Sequence, residues 1–226
     1  MTNSRPPLSP TPRTTLTRSK ERGRTDRVEL DAVLDAGLVC HLGVLLGGSP
    51  VVLPTVYGRD GDTLYLHGST GAGNLRAALA GDISIAVTLV DGIVYARSAM
   101  HFSANFRSAV VRGRAVELVD PDERMHALRG IVEHSAPGAW DRVRQPNKKE
   151  MAATMVLALD LTEASVKVRN GGPKDDAADI ETGGIWAGVL PLRQIWDAPM
   201  SSDDLEPGIE VPQDVLDRTD MALEGQ

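Results

Sequence analysis

Leu38–His67, LVCHLGVLLGGSPVVLPTVYGRDGDTLYLH, decides the fold class. Two apolar runs, 38–46 and 51–58, flank Gly47-Gly48-Ser49-Pro50. A third, 63–67, follows Arg59-Asp60-Gly61-Asp62. Gly-Gly and Asp-Gly supply the positive φ that tight hairpin turns require, so the three runs read as consecutive antiparallel strands. Adjacent strand residues point to opposite faces. Cys40 and His41 therefore cannot form a nucleophile–base pair, and Cys40 reads as a buried structural thiol.

Outward from this stretch, Val28, Leu30, Val33 and Leu34 mark one face of a helix over 27–36, which Gly37 ends. A short helix is expected over 74–80. The apolar run 83–90 reads as a strand buried on both faces. Asp91-Gly92 reads as a turn, and 93–98 and 106–119 as extended chain, the second long enough to bend or to cross a barrel. Asp120-Pro121-Asp122-Glu123 is a helix start with its own cap. That helix carries Met125, Leu128, Ile131 and Val132 inward and ends before Pro137. Two more strands are expected over 153–161 and 164–169. The regular strand–helix alternation of a parallel sheet is missing. The expectation is a mainly β chain with peripheral helices, built as a small antiparallel barrel. Residues 1–24, rich in Pro, Ser, Thr and Arg, read as a disordered basic tail. Residues 25–198 read as one domain, and 199–226 as an acidic extension with a short helix near 213–218.

A net charge of -7 argues against general affinity for nucleic acid, which rests on cationic side chains. The single cysteine cannot form an internal disulfide and fits a reducing cytosol. No run approaches the ~20 apolar residues of a membrane span, and the N-terminus lacks an apolar signal core. A cytoplasmic protein with neither membrane nor nucleic-acid partner is expected. His126 and His134 share a helix without a third ligand at metal spacing, so no metal site is expected. G-x-S-x-G, H-E-x-x-H and C-x-x-C are all missing.

Two stretches carry candidate chemistry. Leu64–Arg76, LYLHGSTGAGNLR, nearly spells a phosphate loop. Asn74 and Leu75 stand where the Lys and the Mg²⁺-binding hydroxyl of a nucleotide hydrolase belong, and Arg76 replaces the third glycine of a dinucleotide loop. What survives is a glycine-rich approach to a helix start, with Ser69, Thr70, Asn74 and Arg76 as donors. That suits a metal-free phosphate monoester, or an ordinary capped turn. In 91–113, Arg97, Ser98, His101, Ser103, Asn105, Arg107 and Ser108 alternate with apolar residues. Arginines in such segments need water or an anion, either a carboxylate or a ligand phosphate.

Taken together, LYLHGSTGAGNLRAAL (64–79), DGIVYARSAMHFSANFRSAVVRGRA (91–115) and GIWAGVLPLRQIWDAPMSSDDLEPG (184–208) resemble the flavin-nucleotide-binding branch of the pyridoxamine 5′-phosphate oxidase-like proteins, near the nitroimidazole-resistance reductases. The resemblance runs from about Thr25 to Pro212. It implies a split β-barrel, non-covalent FMN, a homodimer with two flavin sites at the subunit interface, and a small-molecule substrate. Val52, Leu53, Pro54 and Thr55 resemble the strand beside the isoalloxazine ring. His67, Gly68 and Ser69 resemble the strand end at the ribityl phosphate. Gly73 and Asn74 fall where relatives often carry a basic residue, and Arg76, Arg97 and Arg107 are the cations available to compensate. Arg97, Ser98, Asn105 and Arg107 resemble a polar cluster on the neighbouring strands, part of it reaching across the dimer. Members of the superfamily also bind the deazaflavin F420 or haem. His67 and His101 are the candidate haem ligands, and Phe102 and Phe106 candidate ring covers. His67 is also the candidate general acid. The resemblance implies an FMN-dependent oxidoreductase. The alternatives are a flavin, F420 or haem carrier or sensor, and oxidation of pyridoxamine 5′-phosphate.

Overall fold

A computed structural model describes residues 7–8 and 11–224, with side chains through 219. In chain order the elements are β1 (Gly23–Arg24), α1 (Arg27–Ala36), β2 (Val39–Leu46), β3 (Ser49–Val56), β4 (Gly58–Asp60), β5 (Thr63–Ser69), α2 (Gly73–Ala80), β6 (Ile83–Tyr95), β7 (Ser103–Gly113) and β8 (Val116–Glu117). They continue with α3 (Pro121–Ser135), α4 (Lys148–Ala153), β9 (Thr154–Asp160), β10 (Ala164–Arg169), α5 (Ala177–Thr182), β11 (Gly188–Pro191) and α6 (Gln213–Glu224).

Gly47 and Gly48 have φ of 58° and 82° and close the β2–β3 hairpin in the expected register, with Cys40 opposite Thr55 and His41 opposite Pro54. The chain then bends at Tyr57 into a second sheet. The first sheet runs β1-β10-β7-β6-β2-β3, with β11 on the free end of β6. The second runs β4-β5-β9-β8, and every pairing is antiparallel. The two sheets share one core of Leu42, Val44, Leu64, Leu66, Ile85, Val87, Leu157 and Leu159, and form a split barrel. Helix α1 adds Leu30, Val33 and Leu34, each at most 1% exposed, and each such side chain contributes about 1.5–3 kcal/mol of burial. Among the described residues no helix is long and apolar enough to cross a membrane.

Tyr57 holds the corner. It is fully buried, and its hydroxyl donates to the carbonyls of Leu34 and Gly37 at the end of α1. Gly58 follows because β4 crosses α3 too closely for a side chain: a Cβ there would lie 2.6 Å from the backbone of Gly130 and Ile131.

Several expectations are corrected. Asp91-Gly92 is not a turn but a bulge inside one 13-residue strand, β6, where the register against β7 shifts. The Arg107 guanidinium grips Asp91 at 2.7 and 3.0 Å and holds the bulge in place. β6 is not buried on both faces either. Ile83, Ile85 and Val87 face the core, whereas Thr88 and Val90 are exposed. Of the N-terminal segment expected to be disordered, residues 11–24 lie against the barrel. Arg13 bridges Asp82 and Glu163, Thr11 bonds Glu163, and β1 pairs with β10. Residues 1–6, 9 and 10 lie outside the described residues. Helix α4, with its Asn147–Glu150 capping box, and α5 and β11 were not anticipated.

Candidate functional site

β5 ends at Ser69, and after three connecting residues α2 begins at Gly73. The connection is tight: the Ala72 amide bonds the Ser69 carbonyl at 2.8 Å, the Gly71 amide bonds Ser69 Oγ at 3.1 Å, and the Thr70 amide bonds the Ala153 carbonyl at 2.9 Å. Helices α1, α3 and α4 are capped by the side chains of Asp26, Asp120 and Asn147. α2 is not, because its N-cap is Ala72, which has no side-chain acceptor. Its first-turn amides at Gly73, Asn74 and Leu75 remain available, with the positive end of the helix dipole behind them. Arg76 curls back so that Nη2 donates to the Gly71 carbonyl at 2.9 Å. A guanidinium thus stands over the loop, from a residue two positions after the uncharged Asn74. Leu75 is buried and anchors the helix under Gly68.

His67, on β5 beside this loop, is opposite Val156 and shares the face of Tyr65. Its Nδ1 is buried and has no hydrogen-bond partner. Burial pushes its pKa below the ordinary value, so the ring is neutral at pH 7 and keeps an available lone pair. Cys40 is buried and its thiol is pushed up to about 12, which removes it from nucleophilic chemistry.

Val52, Leu53, Pro54 and Thr55 lie on β3, the edge strand of the first sheet. Val52 and Pro54 join Val39, His41 and Leu45 of β2, together with Val56 and Val90, on the outward face, where no element among the described residues covers them. Asn105 and Arg107 lie on β7, with β6 and β2 between them and β3. That is about 14 Å at the usual strand spacing. One chain therefore brings His67, Gly68, Ser69, Gly73, Asn74 and Arg76 together, and leaves Asn105 and Arg107 apart from Val52–Thr55.

The arginines sort by partner. Arg97 is tied to Asp175 at 2.6 Å and Arg107 to Asp91, so both charges are already neutralised by carboxylates. Ser98 precedes the short turn Ala99–His101. Asn105 is buried and accepts from Arg169, a residue the sequence did not single out. Arg169 is 7% exposed and also donates to the carbonyls of Gly171 and Gly172. Its signal in the sequence was only a strand-ending arginine before Gly-Gly.

His101 stands in a second polar cluster. Its Nδ1 is buried without a partner, 3.9 Å from Asp175 Oδ1. Asp176 and Asp179 also bring carboxylate oxygens within 4.8 Å of an imidazole nitrogen. Nearby, Tyr95 packs edge-on to Phe102 and tilted against Trp186, both at 5.5 Å. Phe102 is half exposed, and Phe106 is half-buried on β7. A separate cavity of about 980 Å³ lies between the ends of α1 and α3 and the C-terminal segment, lined by Leu38, His134, Trp196 and Arg218. Its histidine is structural: Nε2 donates to the Gly37 carbonyl at 2.7 Å and the ring packs on Tyr57.

The two antiparallel sheets define the class, a split barrel, here with an uncapped loop–helix junction at the end of β5. The model of the family described as pyridoxamine 5′-phosphate oxidase matches residues 26–168, more than half of the chain, so the chain belongs to the pyridoxamine 5′-phosphate oxidase-like family. It is 39% identical to the flavocytochrome Anf3 of Azotobacter vinelandii, over 94% of this chain and 99% of that one, with a TM-score of 0.88. It is 36% identical to an FAD- and haem-binding protein of Mycobacterium smegmatis, over 88% and 97%, with a TM-score of 0.83. A 5-nitroimidazole antibiotic resistance protein of Bacteroides thetaiotaomicron, described as putative, shares the fold at 23% identity, over 65% and 86%, with a TM-score of 0.54. No curated protein matches the chain.

Proposed function

We propose that this chain is a flavin- and haem-binding oxidoreductase that works as a homodimer. The observation that carries the reading is the near-complete likeness to two proteins described as a flavocytochrome and as an FAD- and haem-binding protein. The family match ends at residue 168, so a likeness over 94% of the chain takes in most of the C-terminal segment as well.

The residues fit a flavin. Its ribityl phosphate suits the first-turn amides of α2, the hydroxyls of Ser69 and Thr70, and Arg76. The choice of cation is sharper than the sequence allowed, since Arg97 and Arg107 are held by carboxylates. Val52–Thr55 would run beside the ring system. The outward face of Val39, Leu45, Val52 and Val56 is apolar on an edge of the sheet, a surface that a second copy would cover. FAD is the flavin favoured by the M. smegmatis relative and FMN the one implied by the family resemblance; both carry the phosphate that this loop suits.

The residues also fit a haem. Two imidazoles, His67 and His101, carry a buried nitrogen without a partner. His67 adjoins the flavin loop, where its neutral ring suits a hydrogen bond to the flavin or a proton transfer. His101 is the better haem ligand, because it lies beside exposed aromatic rings and against the C-terminal segment. When bound, the flavin supplies hydride and electron chemistry and the haem one-electron chemistry. The protein binds and orients both groups. Expression in a flavin- and haem-replete host, followed by absorbance and mass spectrometry of the released cofactors, tests the reading. Flavin together with a Soret band supports it, and a colourless protein that takes up neither on titration refutes it.

A further inference from the structure

We propose that the segment beyond the family match exists to build the haem side of the protein, and that Asp175 is the positioning residue that aims His101 at the iron. This rests on the flavin–haem reading above.

The chain leaves β10, turns at Gly171-Gly172 and inserts the Asp175 carboxylate beneath the β6–β7 connection, where its side chain is 1% exposed. Arg97 fixes that carboxylate from two sides. Its backbone N–H donates to Oδ1 at 2.9 Å and its Nη1 donates to Oδ2 at 2.6 Å. Oδ1 retains acceptor capacity, and the group facing it is His101 Nδ1, 3.9 Å away, buried and unsatisfied. A buried N–H without an acceptor is destabilising, and a shift of about 1 Å would bring the pair to hydrogen-bond length. With the proton held on Nδ1, Nε2 carries the lone pair. That is the arrangement of a metal-ligating histidine, whose other nitrogen donates to a carboxylate that orients it and raises its basicity.

The surroundings suit a large planar ring. Met100 and Phe102 flank His101 in sequence and are 88% and 50% exposed, and Trp186, packed on Tyr95, is 65% exposed. Asp175, Asp176, Asp179 and Trp186 all come from the segment after residue 168, which the family model does not include. Among the described residues, the carboxylates of Asp175, Asp176 and Asp179 and the guanidinium of Arg97 lie about the imidazole. Their surplus of negative charge favours the ferric over the ferrous centre, and so lowers the reduction potential.

The test uses the full chain loaded with hemin, with flavin content as the check on folding. His101→Ala should retain flavin, weaken hemin uptake at least tenfold and lose the axial-histidine signature in electron paramagnetic resonance. Asp175→Asn, which keeps the shape but removes the charge, should still bind hemin, with a raised reduction potential and a lowered iron–histidine stretching frequency. Asp175→Glu should recover part of both shifts. A wild-type chain that binds flavin but no haem overturns this inference together with the haem part of the reading it rests on. Haem-loaded His101→Ala with an unchanged spectrum overturns this inference alone. So does Asp175→Asn with unchanged potential and stretching frequency.

Discussion

Val52→Asp probes the outward face of β2 and β3 most sharply. Val52 is 66% exposed in one copy, and Leu45 on the neighbouring strand 65%. Fully burying a Val or Leu contributes about 1.5–3 kcal/mol, so covering the exposed two-thirds of Val52 is worth about 1–2 kcal/mol. A twofold interface presents the residue twice. An aspartate at this position loses that term in both copies. It also buries two carboxylates, with no cation opposite at Gly43 or beside them at Pro54. Together the losses come to at least about 5 kcal/mol per dimer, more than a thousandfold in the dissociation constant. Within the monomer the change is at an exposed edge position, so the thermal transition should move by no more than a few degrees. Sedimentation equilibrium over a concentration series, with flavin occupancy measured on the same samples, checks this. The variant should be monomeric where the wild type is dimeric, and should lose flavin in parallel. A variant that associates as tightly as the wild type refutes this face as the interface.

Three further outcomes follow from the geometry. Arg76→Glu should weaken flavin binding tenfold or more, since a charge-assisted hydrogen bond is worth about 1.5–3 kcal/mol, while Arg107→Gln should act mainly on stability by freeing Asp91; titration calorimetry and thermal melts separate the two. Gly58→Ala should destabilise the fold by about 3 kcal/mol, lowering Tm by about 6–12 °C, because its Cβ meets the backbone of α3 at 2.6 Å; an unchanged Tm would show that the corner is looser than drawn. Burial lowers the pKa of His67 in the folded chain. On acidification the unfolded chain therefore takes up this proton first, and stability present above pH 6.5 is lost as the pH falls from there toward the folded value. His67→Gln should flatten that part of the Tm-against-pH curve of the cofactor-free protein, and a curve of unchanged slope would count against it.

The barrel was legible where turn chemistry and alternation agree. Gly47-Gly48 marked the β2–β3 hairpin, Asp60-Gly61 the turn from β4 into β5 and Asp120-Pro121 the start of α3, while the single run expected over 51–58 divides at Tyr57 between the two sheets. Asp91-Gly92 misled because the same dipeptide serves a turn or a bulge. The deciding contact is with Arg107, sixteen residues away, which local pattern cannot show. The loop at 68–76 could be read as suited to an anion, but which of Arg76, Arg97 and Arg107 are tied to carboxylates could not. It depended on Asp91 and Asp175, and Asp175 is 78 residues from the arginine it binds. The N-terminal residues 11–24 look solvated by composition, yet Arg13 finds two carboxylates in separate connections, Asp82 before β6 and Glu163 before β10. Arg169 and Asn105 were invisible as a pair because strand register alone brings them together.

The most direct test of the whole account is the chromophore content of the full-length protein purified without added cofactor. The account predicts flavin and haem in comparable amounts, with the flavin lost from the Val52→Asp monomer and the haem lost from His101→Ala. A protein that carries F420, or neither flavin nor haem, and accepts neither on titration would contradict it.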